Sequence, residues 1–79
     1  MPESLEAELM RGRRALAAGR YEEAVEALTA ALVGYREDGD HRMHTFCLML
    51  VGQAEKWRGD LEAARVALEE AAREIAVVD

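Results

Sequence analysis

His41, His44 and Cys47 stand at i, i+3 and i+6, beside Asp38 and Asp40, and are the residues of this chain best suited to chemistry. Neutral imidazole and thiolate are good ligands for zinc and related metals. One helix face brings two of the three to a common point. Positions i and i+6 diverge by more than half a turn, so a closed site needs a ligand from elsewhere. The simpler reading is two solvated histidines in a first helical turn and one buried cysteine, and no cofactor is expected. Arg11, Arg13, Arg14 and Arg20 form a second cluster, a phosphate patch or a solvated face balanced by nearby glutamates. A net charge of −6 favours the solvated face and speaks against nucleic acid or an anionic membrane as partner. Arg58-Gly59-Asp60 spells an adhesion tripeptide but sits where a helix ends and the next is capped.

Catalysis is hard to assemble from these residues. Ser4 is the only serine, there is no glycine-rich phosphate loop, and Cys47 has no His partner with an obvious orienting group. The carboxylates fall at exposed helical positions. The chain is therefore expected not to be an enzyme.

The elements that carry these residues follow from period and punctuation. Leu5, Leu9, Gly12 and Leu16 recur at helical spacing, with acids Glu3, Glu6 and Glu8 early and Arg11, Arg13 and Arg14 late, as the helix dipole favours. A second stripe is Tyr21, Ala24, Val25, Leu28, Ala31, Leu32 and Tyr35, stopped at Asp38-Gly39-Asp40. A third is Met43, Cys47, Leu50, Val51, Ala54 and Trp57, ended by Gly59. Asp60 caps a fourth, made of Leu61, Ala64, Leu68, Ala71, Ala72, Ile75 and Val78. No stretch alternates like a half-buried strand, so the fold is expected to be all-α. The 79 residues make one domain, 51% hydrophobic and much of that alanine, near the lower size limit for independent folding. A lone cysteine suits a reducing compartment. The longest apolar run, residues 46–51, is far below the ~20 residues that cross a bilayer. An acidic N-terminus lacks the features of a signal peptide, so a cytoplasmic location is expected.

The chain also repeats itself. Gly12, Gly19, Glu22, Ala24, Ala27, Leu28 and Ala31 recur as Gly52, Gly59, Glu62, Ala64, Ala67, Leu68 and Ala71, each displaced by 40 positions. Each unit reads as two antiparallel helices joined at Gly19 or Gly59. Gly12 and Gly52 cost roughly 1 kcal/mol in a helix interior. The expected return is close approach to a partner helix carrying Ala24 or Ala64. Differences between the copies have a pattern too. Val25, Ala30, Val33 and Gly34 become Arg65, Glu70, Arg73 and Glu74, while Glu6, Glu8 and Arg11 become Phe46, Leu48 and Val51. The middle helices are apolar on more than one face and the terminal ones on a single face, as a short stack with two ends requires.

The pattern Leu9, Gly12, Leu16, Gly19, Tyr21, Ala24, Leu28 and Ala31, with Met49, Gly52, Gly59, Leu61, Ala64, Leu68 and Ala71, resembles the tetratricopeptide repeat family. The spacing is similar to the longer bacterial type of that repeat, with units of about 40 residues rather than the usual 34. The resemblance implies two stacked helix-turn-helix repeats, about 4–37 and 40–78, forming a complete, right-handed α-solenoid fragment. It further implies a non-catalytic protein–protein interaction scaffold whose concave groove holds a segment of a partner protein. By register the groove positions are Leu9, Arg13, Leu16, Phe46, Met49, Gln53, Lys56 and Trp57. That row suits a hydrophobic segment with an acidic residue or a carboxyl end. Trp57 and Phe46 are either core or partly exposed anchors. Two other functions remain open: a homo-oligomer joined through the same apolar face, and a metal-binding helical protein using His41, His44 and Cys47.

Overall fold

The computed structural model describes the backbone of residues 4–78 and the side chains of residues 4–76. Glu3 of the first acidic turn and the stripe position Val78 lie outside the described side chains. Four helices follow one another: α1 (Leu5–Ala17), α2 (Tyr21–Glu37), α3 (His41–Arg58) and α4 (Leu61–Val78). Among the described residues there is no strand.

Three turns set the helix spacing, and all three are built alike. Gly19, Gly39 and Gly59 adopt φ of 79°, 75° and 101°, a left-handed conformation that costs a residue with a side chain roughly 1–2 kcal/mol. One residue further on, the N–H groups of Arg20, Asp40 and Asp60 donate to the carbonyls of Ala15, Tyr35 and Glu55, each at 2.9 Å. Those bonds satisfy carbonyls that a helix end would otherwise orphan. Ser4, Asp40 and Asp60 then cap α1, α3 and α4 by accepting from the N–H of the residue three positions on. Arg20 precedes α2 without such a bond.

Each helix packs on the next, and α1 also touches α3. Among the described residues, no Cα of α4 comes within 8 Å of α1 or α2. The Cα extents, 34 × 34 × 14 Å, describe an open layer rather than a closed bundle. Its core is α2: Ala24, Ala27, Leu28, Ala31, Leu32 and Tyr35 are buried between α1 and α3. Because six of the buried core residues of α2 and α4 in the repeat register are alanines (Ala24, Ala27, Ala31, Ala64, Ala67, Ala71), the helices approach closely with little side-chain volume between them.

The paired glycines work as close-contact sites, though the group they receive differs from expectation. A Cβ on Gly12 would lie 2.6 Å from Leu28 Cγ, and one on Gly52 would lie 2.7 Å from Leu68 Cγ. The leucines, not the side chains of Ala24 and Ala64, fill the space; Ala64 contributes its carbonyl oxygen, 3.5 Å from that Gly52 position. Gly34 provides a third such contact, receiving the Leu5 side chain.

The fourth stripe needs correction. Leu61, Leu68 and Ile75 are 67%, 42% and 56% exposed, although periodicity assigned them to the core. The reason is topological: α4 has only α3 beside it, so one narrow strip of Ala64, Ala67 and Ala71 is covered.

Candidate functional site

α3 lies between α2 and α4, and the side chains it cannot bury form a row. Phe46, Met49 and Trp57 are 37%, 43% and 62% exposed, with Gln53 and Lys56 exposed beside them. Their spacing of three and four residues keeps them along one side of the helix. Trp57, placed in the third apolar stripe by period, is on the surface. α1 contributes Arg13, whose guanidinium carbon lies 5.8 Å from the Phe46 ring centroid. Lys56 Nζ lies 5.8 Å from the Trp57 ring. Contacts of this kind contribute about 0.5–1 kcal/mol at exposed sites and leave the cation accessible. Leu16 is half-buried, and Leu9, expected to line the groove, is buried beneath it.

At the N-terminal end of α3 the row deepens into a cleft of about 330 Å³ against the last turns of α4. Phe46, Met49 and Ile75 supply its apolar surface, with His41, Arg42, Thr45 and Glu74 around them. Sequence reasoning placed Phe46 and Met49 on this face but missed Arg42, Thr45, Glu74 and Ile75. Periodicity within α4 gives no sign that Ile75 overhangs α3, since that depends on where the layer stops.

Beneath the cleft runs a polar network. His44 is 5% exposed, and its Nε2 accepts from Arg36 Nε at 3.3 Å. The imidazole proton therefore sits on Nδ1, which donates to Glu74 Oε1 at 2.8 Å. Thr45 Oγ1 donates to the same oxygen at 2.8 Å. Arg36 also lies 3.7 Å from Glu70 Oε2. Burial works to raise the pKa of Glu74, but the hydrogen bonds from His44 and Thr45, together with the charge of His44 and His41, outweigh it and hold the carboxyl below its ordinary value. The network joins α2, α3 and α4 through side chains where the α2 and α4 backbones stand apart.

The three weak metal candidates separate. His41 is exposed, His44 is engaged in the network, and Cys47 is 0% exposed within the core. Burial, with a smaller contribution from Asp40, pushes the Cys47 thiol up to about 11, so it stays protonated at neutral pH. A different trio is brought together: ligand atoms of His44, Glu70 and Glu74 lie within 4.8 Å of one another. The Arg36 guanidinium already supplies positive charge there, and a divalent ion would have to displace it from both His44 and Glu70.

The basic cluster of Arg11, Arg13, Arg14 and Arg20 does not act as one patch. Arg11 binds Glu8 at 3.0 Å and Arg20 binds Glu23 at 3.1 Å, while Arg13 faces Phe46. Elsewhere Arg58 holds the buried Glu55 at 2.7 Å, and Arg65 bridges Glu62 and Glu69. Among the described residues, no helix is long and apolar enough to cross a membrane.

Searches against protein-family models, curated proteins and solved structures find no match to this chain.

Proposed function

We propose that this chain is a non-catalytic protein–protein interaction scaffold that holds a segment of another protein against α3. In this reading the helices alternate in direction as two stacked hairpins of the tetratricopeptide type, a right-handed solenoid fragment working in the bacterial cytoplasm. One observation carries the proposal: α3 leaves Phe46, Met49 and Trp57 exposed in a continuous row, with cations over two of the rings. Large aromatics beside accessible cations are typical of the residues that dominate binding energy. The sole cysteine supports a non-catalytic role, since its thiol is buried and held protonated.

Selection from a random peptide display library on the immobilised protein tests this. Enriched peptides should bind one per chain, and Trp57→Ala or Phe46→Ala should weaken them about tenfold or more. Failure to enrich any sequence, or equal binding to both variants, would defeat the proposal.

A second reading draws on α4. Leu61, Val66, Leu68 and Ile75 are all exposed there, and a second copy of the chain would cover them. In that case the assembly itself is the function.

A further inference from the structure

We propose that the cleft between the start of α3 and the end of α4 is an anchor pocket for one leucine- or phenylalanine-sized side chain flanked on both sides by acidic residues. This rests on the scaffold reading and gives the held segment a chemistry.

The size of the cleft sets the first condition. At about 330 Å³ it stands at the small end of ligand pockets, which run roughly 300–1,000 Å³. One apolar side chain suits Phe46, Met49 and Ile75 better than an extended small molecule does.

Charge sets the second. α3 carries Arg42, Lys56 and Arg58 against the single acid Glu55, whereas the other 61 residues carry seven cations against fifteen acids. Arg58 is bound to Glu55, but Arg42 meets no carboxylate within ion-pair distance among the described residues. Arg42 thus lines the cleft, and Arg13, outside that lining, lies over the ring of Phe46, one of its walls. Glu74 is the one acid lining the cleft, and its Oε1 is taken by His44 and Thr45. A segment entering the cleft meets apolar walls with one guanidinium group in the lining and a second against the Phe46 ring.

A second copy of the chain matches this surface poorly. The exposed apolar side of α4 surrounds Arg65, which already holds Glu62 and Glu69. Acids engaged on their own helix offer less to a partner cation than free ones do.

Fluorescence anisotropy with the labelled peptide acetyl-Asp-Glu-Asp-Phe-Leu-Asp-Glu-amide tests the proposal on the intact chain. Replacing Phe-Leu by Ser-Ser, or every acid by Lys, should each weaken binding about tenfold or more. Ile75→Lys, at the exposed edge of the cleft, should cause a similar loss without changing the circular dichroism. Arg42→Glu, a surface change independent of the cleft walls, should shift preference toward the lysine peptide. The proposal is overturned if acidic and basic peptides bind alike, if the acidic peptide fails to bind at roughly millimolar concentration, or if neither variant alters binding. Self-association abolished by Ile75→Lys would also overturn it. Should display selection enrich peptides lacking acids, this inference falls while the scaffold reading stands; should it enrich nothing, both fall.

Discussion

The two helix pairs come from one pattern but end differently. In the first, Leu5 of α1 fits over Gly34 of α2. Forty residues on, the same two positions are Thr45 and Glu74, and the contact becomes a hydrogen bond of 2.8 Å. Leu9 is buried, while its counterpart Met49 is 43% exposed; Tyr35 is buried, while its counterpart Ile75 is 56% exposed. An apolar seal in the first pair is thus a polar fastening with an apolar cleft above it in the second. For Tyr35 and Ile75 the difference comes from neighbours: α2 packs on both α1 and α3, and α4 on α3 alone; Met49 is exposed although α3 has a helix on each side. The same repeat therefore serves as core at one end and as surface at the other.

Paired substitutions break this comparison most strongly at the leucines. Leu28 is 0% exposed and Leu68 is 42% exposed. Leu28→Ala should cost about 3 kcal/mol in denaturant unfolding, near the middle of the range for buried leucines, and Leu68→Ala about 1 kcal/mol. Equal losses would show that α4 is covered by something else. The glycines come next. Gly12→Ala drives a Cβ into fully buried Leu28 and should destabilise by about 1–2 kcal/mol even after the gain in helix propensity. At Gly52 the obstructing Leu68 is at the edge and can turn outward, so Gly52→Ala should stay within about 0.5 kcal/mol of wild type.

Two titrations sharpen the contrast further. The folded pKa of Cys47 is raised to about 11, above an unfolded value of about 8.5. Its contribution is therefore fully present below about pH 8.5 and is lost as pH rises toward about 11. Unfolding measured across that window should show a fall in stability that Cys47→Ala reduces, leaving the part due to buried Tyr35, whose pKa burial also raises; the counterpart Ala7 has no titration to show. Glu74 gives the smallest effect and the opposite sign. Its folded pKa is lowered, so its contribution is present above the unfolded value near 4.3 and is lost as pH falls through the folded one. Glu74→Gln should flatten the acid limb of stability against pH, whereas Leu5→Ala should leave its slope unchanged.

Much of this architecture was legible in the sequence, for local reasons. Helix ends were marked by glycine, followed at Asp40 and Asp60 by a capping residue, and Gly19, Gly39 and Gly59 are the left-handed positions. A wider apolar surface on α3 was foreseeable from Phe46, Leu48 and Val51 replacing Glu6, Glu8 and Arg11, and of the three Phe46 is the one left exposed. The network of Arg36, His44, Thr45, Glu70 and Glu74 was not legible, because it links three helices through residues with no shared period. The exposure of Ile75 was missed for a related reason. Helical period says which residues share a face, but the number of neighbouring helices decides whether that face meets protein or water.

Everything proposed for α3 requires that its exposed row be open to another protein, and solution mass tests that most directly. Size-exclusion chromatography with light scattering, run over a wide concentration range, should return a monomer of 8.8 kDa throughout. A concentration-dependent dimer or larger assembly that reverts to monomer on Phe46→Glu would contradict the account, because the face would already be filled by a second copy of the chain.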